Sequence, residues 1–139
     1  MSLNLYKMKK LISAISVLLM FFTTAVFGQT NNDLEIDEFL KKMASEKYLL
    51  IDVRTAEEFA AGHIQGAINI DYYSADFSKQ IGKIGKEKPI LLYCRSGNRS
   101  AKSMQMMYEM GFVEVKHLDG GIKAWKAENR KIIQLQNEN

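Results

Sequence analysis

Two short apolar runs place the strongest constraint on the fold of this chain. Residues 48–53 (YLLIDV) and 89–93 (PILLY) are continuously apolar apart from Asp52, near the end of the first run. Such runs are typical of strands that are buried on both faces of a sheet. A helical pattern of apolar residues follows each run, over residues 56–61 and 100–110. Strands that alternate with helices predict a parallel sheet with both faces covered.

Weaker patterns complete the predicted domain. Further strands are predicted at residues 34–36, 68–70 and 113–118, and residues 71–88 carry a faint helical stripe. We therefore predict an α/β fold with a doubly wound, mostly parallel, five-stranded sheet and helices on both faces. Ligands of such sheets bind at the carboxyl ends of the strands. Asp52 and Cys94 each end a predicted strand, so we expect both residues at the same edge of the sheet.

The first 28 residues predict an export signal. They contain no Asp or Glu, carry Lys7, Lys9 and Lys10, and continue as an apolar segment to about Phe27. We expect cleavage near Gly28 and export to the bacterial periplasm. The alternative is an uncleaved leader that anchors the protein in a membrane. The predicted organisation continues with a linker over residues 29–33, a domain over 34–131 and a C-terminal tail over 132–139.

The charge of the chain gives no sign of a nucleic-acid partner. The formal net charge of +3 comes from 19 Lys and Arg against 16 Asp and Glu. The three lysines of the leader supply this whole excess, so the mature domain is formally neutral. A nucleic-acid-binding domain needs a clustered positive face, which this balance does not indicate. The remaining length suffices for one hydrophobic core, and we expect a monomer.

Cys94 is the only cysteine, and it stands between the second apolar run and its helix. In an exported protein a single cysteine is a reactive thiol, an intermolecular disulfide partner or an inert buried side chain. The following loop, residues 95–99 (RSGNR), favours the reactive thiol. Its small and turn-forming residues allow the backbone N–H groups to point inward as a nest for an anion. A helix N-terminus and nearby guanidinium groups lower the pKa of a thiol.

Four segments together resemble the single-domain rhodanese family, the thiosulfate sulfurtransferase-like proteins. The segments are residues 50–59 (LIDVRTAEEF), 62–70 (GHIQGAINI), 93–100 (YCRSGNRS) and 118–125 (LDGGIKAW). Each segment alone is a weak match. In this order and spacing they span about residues 34–131, and their combination is specific.

This resemblance implies a rhodanese-like fold and a sulfurtransferase. Its implied reaction moves a sulfane sulfur from thiosulfate, or a similar small anionic donor, to a thiol or cyanide through a persulfide on Cys94. It implies no metal and no organic cofactor, and the acceptor thiol is external because the chain has no second cysteine. The implied substrate-binding residues are Arg95, Ser96, Gly97, Asn98 and Arg99. The implied supporting residues are Asp52, Arg54 and Ser100.

Two alternatives to this enzyme remain open. A rhodanese-like domain can act as a persulfide carrier or partner-binding module without turnover of its own. The second alternative is a cysteine phosphatase or arsenate reductase, whose families place five residues between cysteine and arginine, generally after a histidine. Here four residues separate Cys94 from Arg99, and Tyr93 stands at the histidine position. The tighter loop favours a sulfane sulfur over a phosphate.

The two histidines predict less. His63 lies within the second family segment, and we interpret it as a turn histidine whose ring is satisfied by the backbone. His117 lies in a predicted strand and is assigned no role.

Overall fold

The computed structural model describes residue 7 and residues 32–135. The predicted export signal apart from residue 7, most of the predicted linker and the last four residues of the predicted tail lie outside this range. Within residues 32–135, five strands alternate with five helices. The strands are β1 (Asp33–Leu34), β2 (Leu49–Asp52), β3 (Ile68–Asn69), β4 (Ile90–Tyr93) and β5 (Val115–Leu118). The helices are α1 (Ile36–Ala44), α2 (Ala56–Ala60), α3 (Phe77–Gly82), α4 (Asn98–Glu109) and α5 (Gly121–Ala127). No helix in this range is both long and apolar enough to cross a membrane.

The five strands form one parallel sheet in the order β1-β5-β4-β2-β3. This confirms the predicted five-stranded α/β fold, with a sheet that is parallel throughout. The register of β2 and β4 places Asp52 opposite Tyr93. Because Cys94 directly follows Tyr93, Asp52 and Cys94 lie at the same edge, as we expected from the two apolar runs.

Helices cover both faces of the sheet because successive residues of a buried strand point to opposite sides. Ile51 and Leu92 face a core that includes side chains of α3 and α4. Leu50 and Leu91 face a second core that includes side chains of α1 and α5. The faint stripe in residues 71–88 does form a helix, α3, which contributes to the first of these cores.

Both ends of the domain extend past the predicted boundaries of residues 34–131. β1 begins at Asp33, and Ile133 forms an antiparallel bridge with His63, with N–O distances of 2.8 and 2.9 Å. The His63 ring stacks on Phe59, with ring centroids 3.7 Å apart, and its Nδ1 lies 2.9 Å from the Phe59 carbonyl oxygen. These contacts agree with the interpretation of His63 as a turn histidine.

Candidate active site

The loop between β4 and α4 encloses the sulfur of Cys94, whose side chain is buried. The backbone N–H of Gly97 donates to Sγ at 3.1 Å, and the Ser100 Oγ lies 3.5 Å from Sγ. Burial raises the pKa of the Cys94 thiol. Hydrogen bonds from the Ser100 hydroxyl and from the N–H groups of Ser100, Ser96 and Gly97 outweigh burial and lower this pKa below its ordinary value. The loop therefore stabilises a thiolate.

The N-terminus of α5 holds the backbone of this loop through hydrogen bonds. The N–H groups of Ile122 and Lys123 donate to the carbonyl oxygens of Cys94 and Arg95, at 2.9 and 3.0 Å. This close approach requires glycine at Gly121, which has a φ of 59°. A Cβ there would lie 2.5 Å from the Cys94 carbonyl oxygen. Gly121 is therefore part of the site's framework.

A cavity of about 490 Å³ opens over Cys94. Its lining residues are Thr55, Glu58, Tyr73, Cys94, Arg95, Ser96, Asn98 and Arg99. The structure thus brings together four of the five residues implied to bind a donor. The fifth, Gly97, instead donates its N–H to the sulfur.

Arg99 is held by a carboxylate within this cavity. Its Nη1 and Nη2 donate to Oε2 and Oε1 of Glu58, at 2.7 and 2.9 Å. This pairing lowers the pKa of Glu58 and raises that of Arg99. Arg95 is exposed and has no carboxylate partner among residues 32–135. Arg95 is therefore better placed than Arg99 to supply uncompensated positive charge to an anion.

Asp52 and Arg54 form a buried ion pair that does not line the cavity over Cys94. The Arg54 Nη2 donates to the Asp52 Oδ2 at 2.6 Å and to the carbonyl oxygen of Gly62 at 2.8 Å. The Arg54 Nε donates to both carboxylate oxygens at 3.0 Å. The pair ties the end of β2 to the turn at Gly62.

The sequence of the domain that carries this loop matches one protein family. The family model of the rhodanese-like domain matches residues 35–128, which include every element from α1 to α5. The chain belongs to the rhodanese family. This confirms the resemblance that the four sequence segments carry.

Known rhodanese-family proteins resemble the chain over most of its described length. The chloroplastic thiosulfate sulfurtransferase 16 of Arabidopsis thaliana is 39% identical over 93 residues, which are 60% of this chain and 76% of the plant protein. The thiosulfate sulfurtransferase GlpE of Pseudomonas putida is 36% identical over 92 residues, covering 66% of this chain and 81% of that protein. Among solved structures, the human single-domain sulfurtransferase TSTD1 has a TM-score of 0.60 and 26% identity, covering 70% of this chain and 96% of that chain.

The rhodanese site also contains residues that sequence reasoning missed. His117, to which the sequence analysis assigns no role, lies with its Nδ1 3.1 Å from the Ser100 Oγ, and its Nε2 lies 2.8 Å from the Asp33 Oδ1. Tyr73 lines the cavity, yet its segment carries only a weak pattern. Glu58 lies within the family segment 50–59, and in the structure it forms a helix capping box with Thr55. His117 could have been placed near the site from its strand, because β5 is parallel to β4 and ends at the same edge of the sheet.

Proposed function

We propose that this protein is a sulfurtransferase that moves a sulfane sulfur from thiosulfate, or a similar small anionic donor, to an external thiol or to cyanide. The observation that carries the proposal is the sulfur of Cys94, enclosed by the Gly97 N–H and the Ser100 hydroxyl beneath an open cavity. A thiolate stabilised in this way is a competent nucleophile. The thiosulfate sulfurtransferases among the relatives support thiosulfate as the donor.

The first step forms a persulfide on Cys94. The thiolate attacks the outer sulfur of thiosulfate, a new S–S bond forms, and the old S–S bond breaks with its electron pair on departing sulfite. Arg95 draws the dianionic donor into the cavity and stabilises the charge that develops on the leaving group. The N–H groups that face Sγ remain available to the persulfide. This polar displacement calls for neither a metal nor an organic cofactor.

The second step transfers the outer sulfur to an acceptor. A thiolate or cyanide attacks the terminal sulfur, and Cys94 departs as the thiolate, which regenerates the site. The products are the acceptor's persulfide or thiocyanate. Because Cys94 is the only cysteine of the chain, the acceptor comes from another molecule.

Two measurements on the full chain test this function. We expect steady formation of thiocyanate from thiosulfate and cyanide. We also expect thiosulfate alone to add one sulfur atom to the peptide that contains Cys94, and cyanide to remove it. A stable sulfur adduct without turnover would support the carrier alternative. If the protein shows no turnover and forms no adduct, sulfur transfer is excluded. Hydrolysis of p-nitrophenyl phosphate that depends on Cys94 would instead support the phosphatase alternative.

A second cavity indicates the kind of acceptor that fits beside the thiol. This cavity of about 240 Å³ shares Glu58 and Arg95 with the first. It is also lined by Arg54, which is paired with Asp52, and by Lys123 and Lys126 of α5. The two lysines have no carboxylate partner among residues 32–135. Together with Arg95, these lysines favour an acceptor thiol that carries carboxylates.

Reversing one of these charges is expected to discriminate between acceptor thiols. Lys123→Glu should lower kcat/KM for glutathione, an anionic thiol, by about fivefold at low salt, because exposed charges interact weakly and are screened. The same variant should use the neutral thiol 2-mercaptoethanol at the native rate. Lys102→Glu is the matched control, because Lys102 is exposed on α4 and lines neither cavity. Equal losses with both thiols would contradict the assignment of this cavity to the acceptor.

A further inference from the structure

Four side chains form a line from the reactive sulfur to the protein surface. The distance from the Cys94 Sγ to the Ser100 Oγ is 3.5 Å, and Ser100 Oγ lies 3.1 Å from His117 Nδ1. The His117 Nε2 lies 2.8 Å from the Asp33 Oδ1. Ser100 and His117 are buried, whereas the Asp33 side chain is 62% exposed. The proposed sulfur-transfer steps use neither His117 nor Asp33.

Strand pairing in the sheet positions these side chains next to one another. In the parallel ladder, His117 of β5 lies opposite Asp33 of β1 on one side and opposite Leu92 of β4 on the other. Cys94 comes two residues after Leu92, so its side chain points to the same face. Ser100 lies in the first turn of α4, which packs on β5 and β4. The four groups therefore meet through ordinary strand pairing and helix packing.

The hydrogen bonds of Ser100 depend on the state of His117. A hydroxyl has one hydrogen to donate, and Ser100 has three acceptors in reach: the Cys94 Sγ, the Gly97 carbonyl oxygen at 3.0 Å, and the His117 Nδ1. The Asp33 carboxylate accepts a proton held on Nε2. An unprotonated Nδ1 then competes with the sulfur for the Ser100 hydrogen. A protonated Nδ1 instead donates to the Ser100 oxygen and leaves the hydroxyl hydrogen for the sulfur.

Among residues 32–135, the titratable groups that the contacts place near His117 are Asp33 from β1, Cys94 from the active-site loop and Asp119 from the turn after β5. Asp119 and His117 both flank Gly97, and the Asp119 Oδ1 accepts the N–H of Gly120 at 2.9 Å. Among these groups, only Asp33 directly contacts the ring, and Cys94 is reached through Ser100.

We propose that His117, oriented by Asp33, is a positioning residue that controls the hydrogen bond from Ser100 to the sulfur of Cys94. Ser100 supports the thiolate most strongly while both ring nitrogens of His117 carry protons. With Nδ1 unprotonated, the hydroxyl hydrogen turns toward the ring and this support weakens. The proposal rests on the proposed function only for its effect on turnover, because ionisation of the thiol is measurable without any sulfur donor.

Alkylation of the full chain by iodoacetamide, followed from about pH 5 to about pH 9, tests this role. His117→Leu is expected to raise the apparent pKa of Cys94 by about one pH unit, since a hydrogen bond to a charged group is at stake. In the part of the profile where the rate rises in proportion to the thiolate fraction, the variant should therefore react about tenfold more slowly than the native protein. Asp33→Ala should shift the profile in the same direction by a smaller amount, about threefold in rate.

Two further variants separate positioning from a structural role. His117→Asn places an amide near the position of Nδ1, so it should restore most of the native rate in the same part of the profile and remove the dependence on ring protonation. In a Ser100→Ala background, His117→Leu should cause no further loss, because the path through the hydroxyl is already gone. Additive losses in this pair would overturn the proposal.

Other outcomes also decide the question. Unchanged alkylation profiles in Asp33→Ala and His117→Asn would overturn the proposal even if His117→Leu fails to fold. Absence of thiosulfate turnover together with the expected alkylation profiles would reject the proposed function and leave the role of His117 in thiol ionisation supported.

Discussion

Replacing Cys94 with serine is expected to reduce thiosulfate-to-cyanide transfer by about a thousandfold or more, to the uncatalysed background. A serine hydroxyl is not ionised near neutral pH, and its oxygen cannot carry the sulfane sulfur as a persulfide. The hydroxyl is similar in size to the buried thiol and can accept the N–H of Gly97 in its place. The measurements are the initial rate of thiocyanate formation and the mass of the protein after exposure to thiosulfate.

Two controls distinguish the loss of the nucleophile from a loss of folding. The thermal midpoint of Cys94→Ser should lie within a few degrees of the native midpoint, because the substitution leaves no large cavity. Lys102→Ser, on the exposed side of the helix that follows the loop, should keep the native rate. Turnover above background in Cys94→Ser, or a sulfur adduct on that variant, would show that another group carries the sulfur.

The central part of the fold was predictable because its signals are local. The runs at residues 48–53 and 89–93 contain β2 and β4, which need apolar side chains on both faces and therefore stand out in the sequence. β1 has only two residues, too few for a periodic pattern to define its bounds, and the strand predicted at residues 34–36 overlaps the first helix, which begins at Ile36. This is why Asp33 fell within the predicted linker although it pairs with β5. The docking of Ile133 on His63 is a backbone contact that depends little on side-chain pattern.

In the candidate site, too, the part that is continuous in sequence was predictable and the part that joins distant residues was not. The loop after β4 is continuous in sequence, so its thiol, its small residues and its guanidinium groups could be read together. The two polar pairs that complete the site join distant residues: 41 positions separate Glu58 from Arg99, and 84 separate Asp33 from His117. The capping box with Thr55 is a local pattern that accounts for Glu58 by itself, so nothing in the sequence pointed to Arg99 as its second partner. Strand order, which single-sequence patterns do not determine, brings these groups together.

The buried pair of Asp52 and Arg54 predicts the largest effect on stability. Asp52→Leu leaves a guanidinium that is 4% exposed without its carboxylate, and should lower the free energy of unfolding by about 3–5 kcal/mol. Arg54→Met leaves the fully buried carboxylate and should cost about as much. Urea unfolding curves of the full chain measure both values, provided that the slopes with denaturant stay constant.

The double variant Asp52→Leu/Arg54→Met shows what the pair contributes beyond the penalty of leaving one charge alone. With both charges gone, no buried ion remains, and the remaining loss is mainly the hydrogen bond to Gly62 and the one from the Arg54 N–H to Asp52. Each of these hydrogen bonds contributes about 1 kcal/mol, or up to about 3 kcal/mol for the one with the charged donor. The double variant should therefore be less destabilised than the sum of the losses in the two single variants. Additive losses would contradict this account. Neither residue lines the cavity over Cys94, whereas Arg54 lines the second cavity. The folded double variant should therefore retain turnover with cyanide as the acceptor, and a hundredfold fall in that kcat would place the pair in the chemistry instead of the scaffold.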